Sequence, residues 1–181
     1  MKILVDTREQ APLEFSHPMI TEVRVVKLDV GDYGVMFEDG HIPSVFFERK
    51  TIGDLFGTMG KGYERFKKEM ERARESKSRL VLIIEGSYSK IGKGYKYSMI
   101  KGMSMKLKLF TLQLRYGLQF VPLNSRSEMS DYITDWFISE GREYTRKKKA
   151  ANEINPDREA VVRRSVKGVH DKREGPEGSD S

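Results

Sequence analysis

Residues 44–55, SVFFERKTIGDL, place three charges, Glu48, Arg49 and Lys50, at the end of an apolar run, with Asp54 following on the next segment. Val45, Phe46 and Phe47 are side chains that pair inside a sheet, and a charge buried beside them is costly unless it meets a partner or a metal. The stretch therefore reads as a strand that ends in a charged place and passes at Thr51 into a helix. Side chains alternate along a strand, so Glu48 and Lys50 share one face and Arg49 takes the other.

Working upstream, "KILV" (2–5) reads as a short buried strand and "TEVRVVKLDV" (21–30) as a second, with Val23 and Val25 at alternate positions. After the turn signal at Gly31, residues 33–50 read as a hairpin. Its turn is Asp39-Gly40, a pair that adopts the positive φ angles tight turns need, and Pro43 points to an exposed edge nearby. Downstream of Thr51 the pattern is helical, and Tyr63, Phe66, Met70 and Ala73 form one apolar stripe on a charged rod. "RLVLIIEG" (79–86) is a continuous apolar run of the kind that lies in a sheet covered on both faces. A helix over 98–116 follows, then a short strand "LQFVPL" (118–123), then a helix over 125–141 opened by a capping box from Ser125 to Glu128. Strands alternating with helices define an α/β class.

Beyond Gly141 charge clusters replace large apolar side chains. We therefore expect one domain over 1–141 and a basic, polar tail over 142–181, partly disordered or weakly helical with a division at Pro156. The net charge of +6 and the pI near 9.4 favour a polyanionic partner, nucleic acid above all. No apolar run approaches the roughly 20 residues that cross a bilayer, and the first ten residues turn charged too soon for a signal peptide. The expected location is intracellular: cytoplasm or nucleoid in a prokaryote or phage, nucleus in a eukaryote. The absence of cysteine excludes disulfides, thiolate zinc sites and cysteine nucleophiles.

Four acids, Asp6, Asp32, Glu48 and Glu85, each fall at or just past the end of an apolar run, where α/β sheets bind ligands. Gathered there they repel one another unless a cation intervenes, and a hard divalent ion suits carboxylate and water oxygens. Asp6, Asp32 and Glu48 are the candidate metal ligands, with the Arg49 carbonyl as a further donor. Such an ion would activate a water and withdraw charge from a phosphate. Lys50, on the Glu48 face, would orient that water or stabilise developing charge. Arg49 points away, toward Asp54 or Glu9. Between Glu85 and Glu128 no acid occurs, while Lys90, Lys93, Lys96 and Lys101 alternate with Tyr95 and Tyr97. That mixture suits phosphate pairing and base stacking. Arg146, Lys147, Lys148 and Lys149, with Arg163 and Arg164 further on, would add salt-sensitive, sequence-independent DNA affinity. His17, His41 and His170 have no ligand-like spacing. The apolar side chains Met99, Met103, Met105 and Phe110, and Leu112, Leu114, Trp136 and Phe137, belong either to the core or to a subunit interface.

Taken together, "VDTRE" (5–9), "VGDY" (30–33) and "FERKTIGDL" (47–55), in this order, resemble the XPF-type structure-specific nucleases, a branch of the PD-(D/E)xK nuclease superfamily. The resemblance covers roughly residues 2–140. It implies a restriction-endonuclease-like fold, a mixed central sheet flanked by helices. By resemblance Asp32, Glu48 and Lys50 take the catalytic positions, and Asp6, Arg8, Glu9, Arg49 and Asp54 form the charged shell around them. The implied reaction is phosphodiester hydrolysis with Mg²⁺ or Mn²⁺ on branched DNA, by a homodimer or heterodimer joined through the nuclease domain. The tail does not read as the helix-hairpin-helix domain common in that family. Two alternatives stay open on the residues: a catalytically silent DNA-binding subunit, and a restriction-type or phage-type nuclease acting on plain duplex.

Overall fold

The computed structural model describes residues 1–154. Eleven elements follow along the chain: β1 (Lys2–Asp6), β2 (Glu22–Val26), β3 (Tyr33–Met36), β4 (Val45–Thr51), α1 (Ile52–Met59), α2 (Tyr63–Glu75), β5 (Arg79–Glu85), α3 (Tyr88–Lys93), α4 (Gly102–Tyr116), β6 (Gln119–Leu123) and α5 (Arg126–Ile154). The chain divides into two units, Met1–Ile138 and Ser139–Ser181. No helix among the described residues is long and apolar enough to cross a membrane.

The first unit is a six-stranded mixed sheet in the order β2-β1-β3-β4-β5-β6. β3 runs antiparallel to both β1 and β4, whereas β1 pairs β2, and β4 pairs β5, in parallel, as β5 does β6. The C-terminal ends of β1, β4 and β5 therefore share one edge of the sheet with the start of β3. This is the restriction-endonuclease-like architecture, a mixed sheet between helices.

β5 shows how the two faces are filled. Leu80, Leu82 and Ile84 pack on one side with Leu55 and Phe56 of α1, Phe66 and Met70 of α2, Ile91 of α3, and Met105, Leu109 and Leu112 of α4. Val81 and Ile83 pack on the other with Met129, Ile133 and Phe137 of α5, spaced by one helical turn. β4 obeys the same alternation: Phe47 joins the α5 side, where its ring meets Phe137 edge-on at 5.3 Å, and Phe46 joins the opposite side. By this parity Glu48 and Lys50 face α1 to α4, and Arg49 faces the α5 side.

Several expectations change. β4 lies inside the sheet, and Pro43 is buried just before it, where no ladder N–H is required of it; the edges are β2 and β6. β2 ends at Val26 because the Leu28 amide turns to the Asp6 carboxylate at 2.6 Å. Asp32 accordingly opens β3 and reaches the shared edge from the opposite direction. The helical run after Thr51 is broken at Gly60–Gly62 into α1 and α2. α4 starts at Gly102, not Ser98, and a short α3, capped by Ser87 accepting from the Lys90 amide, was not legible. Ser125 caps α5 by accepting the Glu128 amide at 3.1 Å, while the Glu128 carboxylate reaches one residue past the cap, to the Asn124 amide at 2.6 Å, so half of the expected capping box forms; α5 runs on to Ile154. In the second unit Arg146 pairs with Glu143 at 2.6 Å, and the Lys148 ammonium lies 5.7 Å from the Tyr144 ring. The expectations for 155–181, Pro156, Arg163, Arg164 and His170 included, lie outside the described residues.

Candidate active site

Asp32 sits where three segments meet. Its N–H donates to the Phe47 carbonyl at 2.7 Å and its carbonyl accepts from the Asp6 amide at 2.8 Å, so the turn before β3 is tied to β4 and β1 at once. Gly31 before it has φ +70°, and a Cβ there would lie 3.0 Å from the Phe47 carbonyl oxygen, so only glycine brings the chain this close. The Asp32 carboxylate accepts from the Arg49 amide at 2.8 Å. Glu48 is buried, and the Lys50 ammonium reaches its carboxylate at 2.5 Å while resting 5.5 Å from the centre of the Phe66 ring.

Asp32, Glu48 and Lys50 line one open cleft of about 530 Å³, together with Arg8, Glu9, Gln10, Arg49 and Asp54 and, from the helices, Gly53, Gly57, Thr58, Gly62 and Arg65. A second cavity, of about 290 Å³, is lined by Arg74, Lys77, Arg79 and Tyr116 among others and has no carboxylate. The electrostatics of the cleft are strained. Burial first, then the nearby Asp32, pushes Glu48 up to about 8, against the pull of Lys50. Burial likewise pushes Asp32 up to about 6, with Glu9 and Glu69 adding to it and the Arg49 amide and Lys50 opposing. One ammonium does not neutralise the acids that share the cleft.

The remaining acids behave differently. Asp6 is not among the residues that line the cleft: one oxygen takes the Arg8 amide and guanidinium and the other the Leu28 amide, apart from the Asp32–Glu48 pair. Burial raises the Asp6 pKa, but Arg8 and the two amides outweigh it and hold it below the ordinary value. Arg49, on the opposite face of β4, bonds Glu9 twice, at 2.9 and 3.0 Å, and Glu85 at 3.3 Å. Burial of Glu9 is outweighed by Arg49 and the Ala11 amide, so its carboxyl too is held low. Tyr33 hydroxyl donates to Glu9 and accepts from the Leu13 amide, extending the network. Asp54 lines the cleft and exchanges hydrogen bonds with Thr51, the residue that caps α1, rather than with Arg49.

Lys90 and Lys93 lie on α3, Lys101 immediately precedes α4 without a side-chain capping bond, and Tyr95, Lys96 and Tyr97 fall in the connection between the two helices. Tyr95 packs 6.1 Å from Phe56, and a Cβ on Gly53 would lie 3.0 Å from its hydroxyl, so Tyr95 adjoins the cleft wall. Tyr97 is 76% exposed, with the Lys96 ammonium 4.5 Å from its ring centre. Arg146, Lys147, Lys148 and Lys149 belong to the second unit, which is described by itself. Sequence reasoning missed Arg65 and Glu69 of α2. Their only signal was a place on a helix whose apolar stripe packs next to β4, and no spacing rule exposes that.

The donor set fits a small hard cation. Mg²⁺ is commonly held by one or two carboxylates, its other positions filled by water and substrate phosphate. Asp32 and Glu48 supply two, and among the described residues no group of three or more His, Asp or Glu is placed to hold a metal.

A mixed sheet that brings an Asp and a Glu-x-Lys to one edge is the arrangement of the PD-(D/E)xK nucleases. The model of the ERCC4 domain matches residues 5–135, and the chain belongs to that family: it is an XPF-type nuclease domain. Its fold is similar to that of XPF from Aeropyrum pernix, at 24% identity over 74% of this chain and 58% of that one, with a TM-score of 0.55. It is also similar to XPF from Aeropyrum pernix in complex with DNA, at 22% identity over 78% and 66%, with a TM-score of 0.58. The chain thus spans 58% and 66% of the length of those structures. No curated protein matches it.

Proposed function

We propose that the chain is a Mg²⁺- or Mn²⁺-dependent DNA endonuclease that hydrolyses phosphodiester bonds beside the branch of flap, fork or junction DNA, in repair, recombination or replication inside the cell. The observation that carries this reading is the cleft where Asp32 and Glu48 come together and both stay raised despite the Lys50 ammonium and the Arg49 amide. A buried like-charge pair that is poorly compensated is costly to keep, and such sites cluster where chemistry is done.

Asp32 and Glu48 would hold the ion, which supplies an activated water and withdraws charge from the scissile phosphate. Lys50 then has an ammonium free to turn from Glu48 toward the attacking water or the non-bridging oxygens, as a proton holder or a charge stabiliser. The Arg49 amide keeps the Asp32 carboxylate oriented. Arg8 and Arg65 at the cleft lining suit flanking phosphates. Lys90, Lys93, Lys96 and Lys101, on α3 and the connection to α4, would add phosphate contacts, and Tyr97 offers an exposed ring for an unpaired base. Arg146 to Lys149 would add sequence-independent affinity.

The assembly we infer is a dimer. Met103, Leu107, Phe110 and Leu114 recur at helical spacing on α4 and are 65%, 60%, 44% and 87% exposed, although Met105, Leu109 and Leu112 of the same helix are buried. An apolar stripe of this kind is the material of a subunit interface, with a second copy or a related nuclease domain. Light scattering at micromolar protein tests it: a dimer supports pairing with a second copy, and a monomer overturns that pairing and leaves only a related nuclease domain as partner.

For catalysis the test is cleavage of end-labelled duplex, flap, fork and four-way junction DNA by wild type and Asp32→Ala, with Mg²⁺, Mn²⁺ or EDTA. The expected result is metal-dependent cutting of branched substrates by wild type only, with DNA binding kept in Asp32→Ala. Equal cutting of plain duplex would defeat the branched substrate. Binding without cutting by both proteins would make the chain a silent subunit.

A further inference from the structure

Glu69 is the acid of this region that no sequence motif marks. It lies on α2 between Phe66 and Met70, both buried, so its backbone is docked firmly against the sheet. Its carboxylate accepts the Gly31 N–H at 3.3 Å. The two following backbone groups of the same turn are already tied, the Asp32 amide to Phe47 and the Asp32 carbonyl to Asp6. Gly31 has the left-handed φ of +70°, with the Phe47 carbonyl 3.0 Å from where a side chain would begin. Glu69 thus supplies a hydrogen bond to this turn from a helix, where the other two come from neighbouring strands.

We propose that Glu69 is a positioning residue: it seats the Gly31–Asp32 turn from α2 and so sets the aim of the Asp32 carboxylate at Glu48. Phe66, one turn earlier on α2, underlies the Lys50 ammonium at 5.5 Å, so a single helix registers both the acid and the lysine of the cleft. The proximity is also electrostatic, since the Glu69 charge bears on both Asp32 and Glu48. A residue acting this way is required for its acceptor oxygen, and glutamine retains one.

The inference rests on the metal-nuclease reading, and its test separates the two. Hydrogen exchange of the Gly31 and Asp32 amides is measured by NMR in the metal-free full chain for wild type, Glu69→Gln and Glu69→Ala. Each protein is then titrated with Mn²⁺ by calorimetry, and a thermal melt is recorded alongside. Exchange at Gly31 should quicken by about tenfold or more in Glu69→Ala and stay near wild type in Glu69→Gln. Mn²⁺ affinity should fall by about 10-fold to 100-fold in Glu69→Ala, as for other residues that orient metal ligands, and be largely rescued in Glu69→Gln. A Glu69→Ala protein with wild-type Gly31 exchange overturns the positioning role. So does a Glu69→Gln protein as impaired as Glu69→Ala, because charge and not the acceptor would then be what counts. If wild type binds no Mn²⁺ while the exchange pattern holds, the metal reading fails and the anchoring of the turn stands.

Discussion

Glu48 and Arg49 are neighbours in sequence on opposite faces of β4, and their surroundings could hardly differ more. On the α5 side the Arg49 guanidinium meets Glu9 and Glu85 at hydrogen-bond distance, Tyr33 joins them, and the Glu9 pKa is held low. On the other side Glu48 and Asp32 share one ammonium and both are pushed up. The same strand thus carries a satisfied ion network and an unsatisfied one. A satisfied network holds the fold together. An undercompensated one persists only because the surrounding structure over-determines it, and a bound cation would relieve it.

The largest effect expected on the unsatisfied side is on rate. Lys50→Ala should lower cleavage of a branched DNA by about 10²–10⁴-fold, the range for a positioned proton donor or acceptor. Its thermal melt should move little, because burial and Asp32 already push the Glu48 pKa up and weaken the charge Lys50 pairs with; a large loss of stability would place Lys50 in the structural network instead. On the satisfied side the expectation reverses. Arg49→Ala leaves Glu9, whose side chain is 5% exposed, without its counter-charge, and breaking a buried pair this way costs about 3–5 kcal/mol. Denaturant unfolding reads that loss, and a change under about 1 kcal/mol, the value for an exposed pair, would erase the contrast.

A smaller effect sharpens the boundary between the two. Gly57 lies on the cleft-facing surface of α1, and a Cβ there meets nothing within 4 Å. Gly57→Ala should raise stability by about 0.5–1 kcal/mol, from helix propensity and a less flexible unfolded chain. It should also slow cleavage, because the methyl projects into space the substrate would use. A variant that is more stable and equally active would show that substrate does not approach α1.

Much of this contrast was legible before any coordinates. The alternation of SVFFERK placed Glu48 with Lys50 and turned Arg49 the other way, toward Asp54 or Glu9, of which the fold pairs it with Glu9; the apolar run of residues 80–84 announced a strand covered on both sides. The spacing of Phe66, Met70 and Ala73 gave the buried stripe of α2. The rest was hidden for physical reasons. Asp6 and Asp32 look alike because both follow apolar runs, whereas in the fold Asp6 bonds Arg8 and the Leu28 amide, and such Asp-to-backbone bonds leave no trace in periodicity. The extra helix α3 is too short to show an apolar period. Glu69 is one of many charges on an outwardly polar helix, and only the packing of α2 on β4 singles it out.

The most direct measurement of the central claim, that Asp32 and Glu48 are held in an unsatisfied pair awaiting a cation, is thermal stability in EDTA from pH 5 to pH 9. Wild type is compared with the Asp32→Asn/Glu48→Gln double variant, so that groups common to both cancel. With both carboxyl pKa values raised by folding, the native state holds more protons than the unfolded chain between the ordinary carboxylate range and about 6 for Asp32 and about 8 for Glu48. In that window wild-type stability falls as pH rises. The account predicts that wild type loses stability relative to the double variant from pH 5 to pH 8 and levels off above. Mg²⁺ added at pH 8 should restore wild type alone. A difference that is flat or of opposite slope across that range, with no selective effect of Mg²⁺, would contradict it.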